Sequence, residues 1–178
     1  MRFRAIILVV LAALSASVCA QSNDELAAMF SADQAARRGD NIDWEVVSAQ
    51  DAERREAVMS ILNAGGIQTA QDYYNAAMIF QHGDSEEDIR LAHSFAAISA
   101  AMRSTSASRW LMAASWDRLM LRYQRPQWFG TQYVRDEAGR WQLYEVLPDV
   151  ISDEQRAAWS VPPLAEAQSR VAQMNGDR

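Results

Sequence analysis

Apolar residues fall into two patterns along this chain: an unbroken run over residues 5–14, then positions spaced three or four apart between recognisable start and stop signals. The second pattern predicts a succession of helices. Residues 24–38 read as a helix stopped by Gly39. Ser48 with Asp51 opens another that runs to Asn63 before Gly65 and Gly66. Thr69 with Asp72 starts a third, closed by Gly83, and Ser85 with Asp88 starts a fourth that reaches about Arg103. A fifth runs over 106–123 and is halted by Pro126.

In the fourth helix, Leu91, Phe95, Ile98 and Met102 make an apolar stripe, while Ala92, Ala96, Ala97 and Ala100 make a face of small side chains that admits a close neighbour. This helix is therefore expected at the centre. Residues 74–119 resemble a tetratricopeptide or Sel-type helix pair. With room for only one or two units, a layer within a compact domain is expected rather than an array.

After Pro126 the period changes to two. Residues 128–135 and 140–146, with aromatic and β-branched side chains alternating and Gly139 in the turn between, predict a hairpin that needs a helix to pack against. Ser152 with Gln155 opens a short helix through Trp159, and Pro162-Pro163 lead into a last one ending near Met174. The fold class expected is mainly α, a compact helical domain with tetratricopeptide-like pairs and a C-terminal β-hairpin.

The opening run has a different meaning. Arg2 and Arg4, the apolar stretch, and Val18-Cys19-Ala20 before Gln21 form the pattern of a cleaved secretory signal, so residues 1–20 are expected to be removed and 21–178 to form one domain in the periplasm or medium. A lipid anchor on Cys19 is the alternative; Val18 and Ala16 fit it badly. Cleavage takes the single cysteine with it, leaving no disulfide, thiol nucleophile or thiolate-bound metal.

Charge narrows the chemistry further. All 17 basic residues are Arg, and the formal net charge of −6 becomes −8 once Arg2 and Arg4 are gone. Such acidity argues against nucleic acid as a partner. Absence of lysine excludes the P-loop, Schiff-base chemistry and Ser-x-x-Lys hydrolases. No cofactor or metal motif is present in the sequence.

Against that background a few polar residues stand out. His82 at a helix end is the candidate catalytic acid or base, with Asp84 as its orienter; simple capping and dipole effects account for the same residues. His93, on the small-residue face, is either a satisfied core histidine or part of a buried polar site. A metal group of His82, His93, Asp84 and Asp117 is conceivable but unsupported by spacing. Asp117 and Arg118 lie among apolar neighbours on the fifth helix and read either as a site or as an internal ion pair. Asp33 and Arg37, four apart, form a weaker pair of the same kind. Gln127, Thr131 and Gln132 supply neutral donors and acceptors at the helix-to-strand junction, suited to orienting a polar ligand or to satisfying helix-end carbonyls. Gln81, His82, Asp117, Arg118, Gln127 and Gln132 are expected to line one cleft.

In order, Q-H-G-D at 81–84, A-H at 92–93, R-W-L at 109–111, D-R at 117–118, P-Q-W-F-G-T-Q at 126–132 and V-P-P-L at 161–164 resemble a bacterial domain family of unknown function. Asp33-Gln34 with Arg37 extends the likeness to the first helix. Members often carry Gly shortly before the R-P-Q step, where this chain has Gln124. The resemblance implies no activity. Two functions stand open: a binding or interaction module of the cell envelope, for a peptide, envelope protein or small polar ligand, and a small hydrolase-like enzyme using His82.

Overall fold

Residues 21–176 are described by the computed structural model, so the export signal and Cys19 lie outside the described residues. Within them the chain is mainly helical: α1 (Asp24–Ala35), α2 (Trp44–Asn63), α3 (Ala70–Gln81), α4 (Glu86–Met102), α5 (Ser106–Arg122), β1 (Tyr133–Arg135), β2 (Trp141–Leu143), α6 (Asp153–Ala158) and α7 (Leu164–Met174). None of these helices is long and apolar enough to cross a membrane.

Helix starts follow their capping residues. Thr69 and Asp72, Ser85 and Asp88, and Ser152 and Gln155 each form a reciprocal capping box at α3, α4 and α6. Gly83 is needed between α3 and α4, because a Cβ there would lie 2.2 Å from that of Asp88. At the start of α2 the expectation fails. The helix opens at Trp44, where the Asp43 carboxylate accepts the N–H groups of Glu45 and Val46. Asp51, expected in a first turn, lies inside the helix and is buried.

The main core lies between α3, α4 and α5, with α1 and α2 laid over α3. Ala76, Ala77, Ala92 and Ala96 are fully buried and let the helix backbones approach, while Phe80 meets Phe95 edge to face at 5.7 Å. Each such buried Phe contributes roughly 1.5–3 kcal/mol over leaving it exposed. The apolar stripe on α4 is covered only in part: Phe95 is buried, whereas Ile98 is 40% and Met102 52% exposed.

A second, smaller cluster of Ala113, Phe129 and Val161, flanked by Trp116, Trp128, Ile151 and Trp159, seats the C-terminal segments on α5. The hairpin pairs Tyr133 with Leu143 and Arg135 with Trp141, and the Arg135 guanidinium lies 4.5 Å from the Trp141 ring centroid. Asn175, just past α7, holds the outer edge of β2: its amide oxygen accepts the Trp141 N–H at 2.8 Å and its amide nitrogen donates to the Trp141 carbonyl at 2.9 Å. Both strands are shorter than expected, because residues 128–132 form a turn fastened by side chains instead of pairing as a ladder. Just after α5, Gln124 takes φ 55°, a left-handed conformation that glycine adopts without steric cost.

Candidate functional site

Asp117, on the inner face of α5, is 0% exposed and turned toward the segment that follows Pro126. Its carboxylate accepts from the N–H groups of Trp128 (2.8 Å), Phe129 (3.0 Å) and Thr131 (3.0 Å) and from the Thr131 hydroxyl (2.8 Å). From the opposite side the buried Arg156 of α6 donates to the carbonyls of Phe129 (3.0 Å) and Trp128 (3.2 Å). A carboxylate thus gathers the donors of this turn and a guanidinium its acceptors. Burial pushes the Asp117 carboxyl above its ordinary value, against the opposing effect of those donors.

Gln127 completes the turn. Fully buried, it accepts the Gln132 N–H at 2.8 Å and donates to the carbonyls of Gln132 and Tyr144. Asp117 and Gln127 therefore direct their polar atoms at the chain's own turn and do not join the cleft expected of them, and the Thr131 hydroxyl is engaged by the Asp117 carboxylate and the Gln132 amide.

His82, Asp84 and Arg118 do come together, lining a cleft of about 500 Å³ with Arg37, Trp44, Val47, Ser48 and Asp51. His82 caps the end of α3, and its Nδ1 lies 3.1 Å from Oδ1 of Asp33, which is 0% exposed. A carboxylate only accepts, so this contact puts the proton on Nδ1 and leaves Nε2 unprotonated in the neutral ring. Asp33, and not Asp84, orients the imidazole. The short range over which capping patterns operate explains the misassignment: Asp33 is far away in sequence and arrives on α1.

The same Asp33 binds Gln34 Nε2 at 2.7 Å and Arg37 Nη1 at 2.9 Å. Arg37 continues to Asp51, and Asp51 to Arg54 at 2.7 Å. Asp33 and Arg37 were legible as an i,i+4 pair; their extension to Asp51 and His82 was not.

Arg118 has other surroundings. Its Nε donates to Oε1 of Gln132 at 3.2 Å and its Nη1 to the Gln81 carbonyl at 2.7 Å, both neutral acceptors. Among the described residues no carboxylate lies within ion-pair distance of it. Burial, together with the nearby charges of Arg122 and Arg37, holds its guanidinium below the ordinary value. The Asp117–Arg118 neighbours are thus no ion pair: successive helix positions point them to different sides of α5.

Gln132 is 7% exposed and supports Arg118 while donating to the Ala114 carbonyl at 3.2 Å. Gln81 is likewise buried, and its amide oxygen has no donor among the described residues. His93 is elsewhere, its Nδ1 3.2 Å from the Met112 carbonyl oxygen. No three His, Cys, Asp or Glu side chains among the described residues are grouped to hold a metal ion, so His82, His93, Asp84 and Asp117 form no such set. No family model matches the chain, and neither a curated protein nor a solved structure resembles it significantly.

Proposed function

We propose that this chain is an exported binding module that holds a small anionic ligand in the cleft between His82 and Arg118. The export part of that reading rests on the pattern of residues 1–20. The ligand part rests on one observation: Arg118 is a desolvated cation without a counter-ion among the described residues, at the wall of an open cleft and beside the positive Arg37 and Arg122. A carboxylate or phosphate there receives charge-assisted hydrogen bonds and relieves like-charge repulsion. Gln81 and Gln132 act as positioning residues, because they fix two of the guanidinium nitrogens.

Calorimetric titration of the purified protein with acetate, succinate and inorganic phosphate tests this. The expected result is saturable binding of at least one of these anions, weakened about tenfold or more in Arg118→Gln, the loss typical of one charge-assisted bond. No saturable binding, or equal binding by the variant, overturns the reading.

One distance favours a second reading. The 3.1 Å contact between His82 and buried Asp33 is the arrangement of an oriented general base, which is what a small hydrolase requires. In that reading Nε2 of His82 activates water and Arg118 takes the developing negative charge. Hydrolysis of 4-nitrophenyl acetate or 4-nitrophenyl phosphate, lost in His82→Ala, would support it; turnover unchanged in that variant would end it.

A further inference from the structure

Away from the Arg118 cleft, between α5 and the segments that follow it, His93, Trp116, Trp128, Phe129, Ile151 and Trp159 border a pocket of about 280 Å³. Its lining contains no carboxylate, guanidinium or hydroxyl. Two polar atoms of its lining residues lack partners among the described residues. His93 Nδ1 lies 3.2 Å from both the Met112 carbonyl oxygen and the Ser115 hydroxyl oxygen. That hydroxyl spends its own proton on the helix carbonyls of Leu111 and Met112, so both neighbours accept, the proton is on Nδ1, and Nε2 presents a lone pair with no donor among the described residues. Burial favours this neutral ring, holding the imidazole below its ordinary value. Trp116, whose ring centroid is 5.5 Å from that of His93, buries its Nε1–H without an acceptor among the described residues.

We propose that this pocket is a second binding site, for a small uncharged aromatic molecule carrying one hydrogen-bond donor, of phenol-like chemistry, with His93 Nε2 as the acceptor. Each part of the description follows from the lining. An anionic ligand would be desolvated among indoles with nothing to offset its charge, and of the remaining occupants a neutral one loses least on leaving water. The indole and phenyl faces offer edge and stacking contacts to a flat ring. A dry cavity of roughly 150 Å³ holds benzene, so 280 Å³ admits a substituted ring. A purely apolar occupant would leave the imidazole lone pair covered and unpaired, and a hydroxyl removes that penalty.

para-Cresol and para-xylene separate these contributions, since they differ by hydroxyl against methyl at nearly equal size. Titrated into the purified protein, para-cresol is expected to bind saturably and about fivefold more tightly than para-xylene, the usual margin of one net hydrogen bond. In protein labelled with 15N in histidine, para-cresol should shift the His93 Nε2 resonance and para-xylene should not. His93→Phe should erase the difference between the two compounds while leaving para-xylene bound. Should that variant fail to fold, the resonance in the unaltered protein still decides.

Equal affinity for the two compounds, para-cresol binding without a shift at Nε2, or tighter binding of 4-methylbenzoate would overturn the proposal. So would absence of para-cresol binding, including the case in which a tyrosine-bearing peptide binds in its place. The site is independent of Arg118, and Arg118→Gln is expected to leave para-cresol affinity unchanged.

Discussion

Asp117 and Asp33 are both completely buried carboxylates on helices, yet they answer the cost of burial with different partners. Asp117 takes its hydrogen bonds from backbone N–H groups and one hydroxyl, all within residues 128–131. Those donors carry no net charge and belong to a turn that cannot move without losing them. Asp33 takes its bonds from side chains, namely Gln34, Arg37 and His82, two of which also border open solvent. One carboxylate therefore builds backbone, while the other sets the charge and orientation of groups around a cleft. Burial of an acid alone does not distinguish structure from function; the kind of donor it gathers does.

Substitution of Asp117 provides the hardest test of that contrast. Asp117→Ala strips the acceptor from three backbone N–H groups in a buried turn and is expected to cost about 3 kcal/mol or more in urea unfolding. A loss below about 1 kcal/mol would mean that the turn reforms with other acceptors, and the contrast would fail. Gln127→Ala acts on the same turn from the strand side, leaving the Gln132 N–H and the Tyr144 carbonyl unpaired while the Gln132 carbonyl keeps the Tyr144 N–H, and should cost about 2 kcal/mol by the same measurement.

Asp33→Asn is expected to cost less, about 1 kcal/mol, because the amide keeps the size of the side chain and still accepts from Arg37. Its informative effect is on ligands. Removing this negative charge frees Arg37 toward the cleft, so acetate or phosphate should bind a few fold more tightly. The hydrolase reading requires the opposite sign in a different readout, a loss of ester turnover as His82 loses its orienting carboxylate. Calorimetry and a turnover assay on the same variant separate the two.

The smallest expected effects are in the acid limb of stability. Burial pushes the Asp72 carboxyl up, but the N–H groups of Asn23, Thr69 and Gln68 and the Thr69 hydroxyl outweigh it and hold the group below 3.8. Its folded state binds protons less readily than its unfolded state, so it contributes stability above 3.8 that is lost as pH falls through the folded value. Asp117 has the reverse sign. With its folded value above 3.8, stability declines as pH rises from 3.8 through that value and is level beyond it. Unfolding free energies measured between pH 3 and 7 should show Asp72→Asn flattening the loss at low pH. An unchanged slope in that variant would contradict the assignment.

Local grammar was the legible part of this chain. Thr69 with Asp72, Ser85 with Asp88 and Ser152 with Gln155 announce helix starts because the donor and acceptor lie within one turn of each other. At α2 the signature is ambiguous, because Ser48 and Asp51 repeat the capping pattern a few residues after Asp43, whereas Asp51 belongs to Arg37 and Arg54. In the site, His82 and Arg118 could be singled out as residue types, and Gln81 and Gln132 as their neighbours, but not the pairing of His82 with Asp33, which arrives on α1 from far away in sequence. Apart from its i,i+3 pairing with Asp153, Arg156 carried no signal of its hold on the turn, since its acceptors there are carbonyls, which every residue possesses.

The hold of Asn175 on Trp141 has a consequence for how copies of this protein behave in a crowded solution. A two-stranded ribbon has an outer edge whose free amide and carbonyl can recruit another chain in register, the first step of sheet growth between molecules. Here both groups of Trp141 are already taken by one side-chain amide. Asn175→Ala would uncover them while disturbing little else, so it should leave the melting temperature nearly unchanged and raise the rate of self-association measured by light scattering.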